Sequence, residues 1–186
     1  GWSHVYSFCV IGGFLLAVHR ITSSGSRGWT IAAGALLAII ILIRPVNAMV
    51  LLAVPIVAGK QTLPMVRGLL QRYWTALGAV LLFAAVIAIQ PLLWHVQTGN
   101  WTEWGYQGEG FHWDRPEIIK VLFGFRRGLF LWTPIMLLTA LGTLLLWRTD
   151  RWRSSWSVAY WIFCTYVISS WWIWYYGGGF ASRVYI

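Results

Sequence analysis

The chain has 186 residues, of which 59% are hydrophobic and only 10% charged, with fourteen bases against five acids. Soluble domains usually carry about 25% charged residues, so this composition excludes a water-exposed globule of this size. The net charge of +9 does not point to nucleic acid either, because the bases sit in short gaps between apolar blocks and do not gather on a soluble basic face. The expected class is an integral membrane protein with membrane lipid as its immediate partner and no nucleic acid.

The apolar blocks come in chain order. The first is Val5–Val18, extendable to a span of about 3–19. A Ser- and Gly-rich loop follows over Arg20–Arg27. Two short blocks at about 29–43 and 46–59 are separated by Arg44-Pro45. Lys60–Tyr73 reads as a basic connector, helical or not. Full spans are expected at about 74–95, 129–147 and 155–176, with a tight basic loop at Arg148–Arg153 and a polar tail from Gly177. The fold class that follows is all-α, a polytopic membrane protein with about six transmembrane helices in a single transmembrane region covering 1–186. Gly1 stands where Met would open a chain, no signal peptide is legible, and Ile186 falls inside a motif, so both ends read as cuts in a longer protein.

The break at Arg44-Pro45 has two readings. One kinked helix from Trp29 to Ala58 would be about 45 Å long at 1.5 Å per residue, long for a hydrocarbon core of about 30 Å. Two short helices would each fall below the usual length of about 17 residues. Charge separates the two. With a hairpin, one side of the membrane holds Arg20, Arg27, Lys60, Arg67, Arg72, Arg148, Arg151 and Arg153 against one acid, Asp150. The other side mixes its bases with the remaining four acids. With a single helix the loop bases divide evenly. The positive-inside rule therefore favours the hairpin, with both ends of the chain on the non-cytoplasmic side.

Cys9 and Cys164 lie in apolar blocks and read as small core hydrophobes. No disulfide framework or metal spacing is present. Most of the fifteen tryptophans sit near span ends, as an aromatic belt does. Trp104 and Trp113 have a second reading as a platform for a sugar ring.

The one long polar segment, His95–Arg127, holds four of the five acids: Glu103, Glu109, Asp114 and Glu117. Segments of this length without secondary structure usually carry function. Within it, Pro116–Phe125 reads as an interfacial helix, with Pro116 at its first position and Ile118, Ile119, Leu122 and Phe123 on an apolar face. Arg126-Arg127 follow, and two arginines can hold a phosphate, whether from a ligand or a lipid headgroup. Arg44 is either functional or snorkels to the interface. The glycines of Tyr175-Tyr176-Gly177-Gly178-Gly179-Phe180 allow close backbone approach to a ligand, with Arg183 beyond them. Asn100-Trp101-Thr102 matches a glycosylation sequon weakly. His4, His19 and His95 read as structural. Acid–base work would fall to Glu103, Glu109 or Asp114, and none belongs to a recognisable constellation.

Three stretches resemble multi-spanning glycosyltransferases of the GT-C fold, such as protein O-mannosyltransferases and the aminoarabinose transferases of lipid A. They are Arg44-Pro45-Val46-Asn47 with the short run after it; Tyr106-Gln107-Gly108-Glu109-Gly110-Phe111 with Phe123-Gly124-Phe125-Arg126-Arg127-Gly128-Leu129-Phe130 and Thr133-Pro134; and Trp171-Trp172-Ile173-Trp174-Tyr175-Tyr176-Gly177-Gly178-Gly179-Phe180 with Arg183. The resemblance implies a bacterial inner-membrane enzyme that moves a sugar from a polyprenyl-phosphate carrier to an acceptor on the non-cytoplasmic face. It implies a lipid-linked sugar donor and no further cofactor. It implies substrate binding by Arg44, Tyr106, Arg126, Arg127 and Arg183. The family's catalytic acid usually lies in a first outer loop that has no counterpart here, so the resemblance places this chain downstream of it. Two other classes compete: a transporter or flippase segment, which would bury ionisable residues within its spans, and a membrane scaffold without catalysis.

Overall fold

The computed structural model describes residues 3–103 and 108–175. The described residues are helical apart from turns, loops and a single isolated bridge. They fall into two units, Gly1–Trp104 and Gly105–Ile186.

The first unit contains α1 (Ser3–Ser24), α2 (Arg27–Ile43), a 3-10 stretch over Pro45–Ala53 and α3 (Val54–Ala58). A short 3-10 turn, Gly59–Gln61, then leads into α4 (Thr62–Gln71) and α5 (Tyr73–Thr98). Local chemistry sets the boundaries. Gly25, at a φ of 60°, turns the chain between α1 and α2 in a conformation an L side chain resists. Arg44 takes φ −156° and ψ 119°, outside the helical region, because the Pro45 ring crowds the residue before it. Gly99, at φ 79°, ends α5 by donating its N–H to the His95 carbonyl at 3.0 Å.

Two contacts show that the chain reverses at Arg44. Asn47 Nδ2 donates to Ser7 Oγ at 3.0 Å, near the start of α1. Thr22 Oγ1 lies 3.2 Å from Met65 Sδ, near the end of α1. The segment from Pro45 to α4 therefore runs alongside α1 in the same sense, and α2 runs antiparallel to both. The chain thus forms a hairpin at Arg44-Pro45 and not one kinked helix. At the α4 end, Arg72 donates to the Gly25 carbonyl. From there α2 and α5 leave together, and Gly34 packs directly on the Ala79 backbone. The core joins Phe14 and Val18 of α1 to Ile40, Val50 and Ala58.

Three helical stretches are long and apolar enough to cross a membrane: His4–Ser24, Pro45–Gln71 and Tyr73–Thr98. The last has a mean hydropathy of 2.4, and none of its apolar window is buried within the protein. A helix apolar on all sides and uncovered suits lipid as its solvent. Arg27–Ile43, at 17 residues, and Met136–Leu146, at 11, are apolar but shorter. Cys9 points outward from α1 and does not join the core, whereas Cys164 is buried.

The second unit contains α6 (Ile118–Phe123), α7 (Leu129–Trp132), α8 (Met136–Leu146) and α9 (Arg151–Ser169). Three boundaries differ from the sequence expectation. The block at 129–147 is two helices, because Thr133 precedes Pro134 and adopts φ −137°, ψ 66°. The interfacial helix begins at Ile118 and not at Pro116, since Glu117 is held at ψ 49° with its N–H given to the Ser169 carbonyl at 2.9 Å. The last helix ends at Ser169, well before Tyr176, because the chain beyond it pairs with the long loop. At its start, Asp150 caps α9 by accepting from the Arg153 N–H at 3.1 Å. Buried Ser154 ties α9 to α8 through the Thr143 carbonyl, 2.7 Å away.

Candidate functional site

The exit of α9 is the part of the second unit on which its polar chemistry converges. Phe111 and Trp171 form an antiparallel bridge. His112 donates its N–H to the Ser170 carbonyl at 2.6 Å, and the Trp172 N–H returns to the Gly110 carbonyl at 3.0 Å. Together with the bond from Glu117 to Ser169, these pin residues 110–117 onto a helix end whose terminal carbonyls would otherwise need partners. Ser169 and Ser170 are buried beneath them.

Aromatic side chains thicken this junction. Phe111 stacks on Trp113 with ring centres 4.6 Å apart and meets Trp171 edge-on at 4.8 Å. Such pairs add stability beyond their buried area. The Tyr166 hydroxyl donates to the Trp113 carbonyl at 2.8 Å. Trp113 remains half exposed, so an aromatic face stands next to His112 and Asp114.

The second component is a tight turn from Gly124 to Gly128. The Gly128 N–H donates to the Gly124 carbonyl at 2.6 Å, and the Trp132 indole N–H donates to the Phe125 carbonyl at 2.8 Å. A side chain at Gly124 would collide with the Lys120 carbonyl and the Trp174 ring, and one at Gly128 would meet the Gly124 backbone at 2.5 Å. Both positions therefore require glycine. The turn carries Arg126 and Arg127 to a single residue, Tyr175, beyond the end of α9 at Ser169. Arg127 Nη1 donates to the Tyr175 carbonyl at 2.8 Å, and the Arg126 guanidinium lies 3.8 Å from the centre of the Tyr175 ring. Stacking occupies the face of a guanidinium and not its in-plane N–H edge, so exposed Arg126 keeps the geometry that suits an anion.

Trp171 and Trp172 thus hold the acidic loop, while Trp174 and Tyr175 hold the arginine turn. Only a few residues of backbone separate the two sets. Among the sequence candidates, Glu109, Asp114, Arg126 and Arg127 all belong to this junction. Glu109 is half-buried beside the Gly110–Trp172 bond. Asp114 is an exposed partner of Arg115, 3.2 Å away. Glu117, the remaining acid of the loop, pairs with Lys120 at 2.8 Å.

Other candidates fall elsewhere. Glu103 belongs to the first unit, where it accepts from Asn100 Nδ2 at 2.7 Å. That bond, with a smaller contribution from Thr98, holds its carboxyl below the ordinary carboxylate range, which weakens it as a base. The same bond engages the Asn100 amide of the sequon. Arg44 is also in the first unit, half-buried, with His4 Nε2 3.4 Å away and the Asn47–Ser7 bond beside it. Tyr106, Trp104 and Arg183 lie outside the described residues. Among the described residues, no group of three or more His, Cys, Asp or Glu side chains gathers as a metal site would. Tyr175 as the seat of both arginines was not legible in the sequence; its place beside a Gly-rich tail was the only hint. No family model, no curated protein and no solved structure matches this chain.

Proposed function

We propose that this chain is part of a membrane glycosyltransferase that moves a sugar from a polyprenyl-phosphate donor to an acceptor on the non-cytoplasmic face. The observation that carries the reading is the arginine pair on the glycine-locked turn. Arg126 and Arg127 are fixed against Tyr175 next to a loop bearing Glu109, Asp114 and a half-exposed Trp113. A phosphate-linked sugar needs cations for its phosphate, a carboxylate for proton transfer and aromatic surface for the sugar ring. The junction supplies these three types of group. In this reading α1, α2, the Pro45–Gln71 segment, α5, the α7–α8 stretch and α9 make six crossings of a bacterial inner membrane. The junction then faces outward at the lipid boundary.

The concentration of polar groups at a helix exit, and not along the spans, favours an interfacial enzyme over a transport path. The test is transfer from a polyprenyl-phosphate sugar in membranes containing the protein in its natural length. Arg126→Gln with Arg127→Gln should lower turnover by roughly a hundred-fold, as expected when charged hydrogen bonds worth about 1.5–3 kcal/mol each are removed. Membrane abundance should stay unchanged. Unchanged turnover, or no turnover in the unmodified protein with any lipid-linked sugar, would leave the scaffold reading.

A further inference from the structure

The end of the first unit where α4 lies carries a surface that the transferase reading does not use. The first 102 residues contain no Asp or Glu. Five of the six bases in that stretch collect at this end: Arg20, Arg27, Lys60, Arg67 and Arg72. Their gathering follows from the chain path, since the Arg72–Gly25 and Thr22–Met65 contacts bring the α1–α2 turn and α4 together.

α4, like the neighbouring α5, has no buried residue, but it carries Arg67 and Gln71 among its apolar side chains where α5 is apolar throughout most of its length. Met65 and Leu69 face the bundle, while Leu63, Val66 and Leu70 stand outward, Leu70 at 70% exposure, with Trp74 also 70% exposed just beyond. An apolar row flanked by cations and followed by an exposed tryptophan is how a helix lies along a headgroup layer. Between α4 and the α1–α2 turn there is a cavity of about 190 Å³, lined by Thr22, Thr30, Gln61, Met65, Gly68 and Arg72. That is smaller than the roughly 300 Å³ at which ligand clefts begin, so it suits a headgroup and not a whole lipid.

We infer that this end of the first unit is a binding site for anionic phospholipid, with the acyl chains along Leu63, Val66 and Leu70 and the phosphate among Lys60, Arg67 and Arg72. The argument for this occupant is charge complementarity. A basic surface with no acid of its own, next to outward apolar side chains, matches a negative headgroup above hydrocarbon. The inference rests on the membrane character of the helices and is independent of the transferase reading.

The experiment is native mass spectrometry of the full chain, released from detergent after equilibration with equal amounts of phosphatidylglycerol and phosphatidylcholine. The unmodified protein should retain phosphatidylglycerol preferentially. Lys60→Gln with Arg67→Gln changes two exposed side chains and spares Arg72, which holds the Gly25 turn. It should reduce that preference by about five-fold for each base removed. The control, Arg148→Gln with Arg151→Gln, removes the same charge from exposed positions in the second unit and should change it less. Equal retention of the two lipids by the unmodified protein would overturn the inference. So would an unaltered preference in the Lys60/Arg67 variant, or an equal loss in the control, which would mean diffuse charge and no site.

Discussion

The two units solve the same problem of packing apolar helices by different means. The first is made of long elements whose contacts are mostly apolar. Its core runs from Phe14 to Ala58, and Gly34 packs closely on the Ala79 backbone. The second is made mostly of short elements, and polar bonds join them: Ser154 to Thr143, Tyr166 to Trp113, His112 to Ser170 and Arg127 to Tyr175. Charge follows the same division. Residues 1–104 hold six bases and one acid, Glu103, while residues 105–186 hold eight bases and four acids. In the two proposals above, the bases without acids meet a lipid surface, and the mixed charges that bond one another and the backbone shape the transferase site.

The largest expected effect tests the packing of the first unit. Gly34→Leu would drive a side chain into the Ala79 carbonyl, 2.5 Å from the position of its Cβ. Overpacking of this kind costs about 3 kcal/mol. The thermal midpoint of the detergent-solubilised protein should fall by several degrees, and an unchanged midpoint would mean that α2 and α5 do not approach as described.

The next tests reach the polar bonds of the second unit. Asp150→Ala removes the cap of α9 and should cost about 1 kcal/mol. Tyr166→Phe removes the hydroxyl bond to Trp113 at a similar cost of about 1 kcal/mol. Hydrogen exchange should then quicken at the first turn of α9 in one variant and around His112 in the other. If exchange is unaltered, Asp150 does not hold the start of α9 in the one case, and the Tyr166 hydroxyl does not hold the loop to the helix exit in the other.

The smallest effect concerns Glu103, whose carboxyl is held below its ordinary 4.5 mainly by Asn100. A carboxylate with a lowered folded-state pKa contributes order that is present at neutral pH. That order is lost only as pH falls through the lowered value. Asn100→Ala should therefore bring the titration of Glu103 back toward 4.5, seen in its side-chain carboxyl resonance. No movement would show that Asn100 is not its partner.

How far the sequence revealed this architecture depended on whether the deciding signal was local. The helical class came from the length of the apolar blocks, and the reversal at Arg44-Pro45 from charge bias. Pro134 restricts Thr133 in the same way that Pro45 restricts Arg44, but the apolar run on either side of it reads as one span. The early end of α9 had no local signal. Its cause is a bridge between Trp171 and Phe111, sixty positions apart, and periodicity cannot register such a partner. The arginine pair was legible as chemistry. Its seat on Tyr175 was not, because a cation–ring contact between distant residues leaves no pattern in the chain.

The reversal at Arg44-Pro45 decides whether the α1–α2 turn lies on the same side of a membrane as α4. Cysteine accessibility in intact cells tests it most directly, with Ser24→Cys, Gln71→Cys and His112→Cys placed one at a time in a background where Cys9 and Cys164 are replaced by alanine. Only the cysteine at position 112 should be labelled from outside. Labelling at positions 24 and 112 with protection at 71 would mean one helix from Trp29 to Ala58 and contradict the reversal, and labelling at 24 and 71 with protection at 112 would remove the outward-facing site.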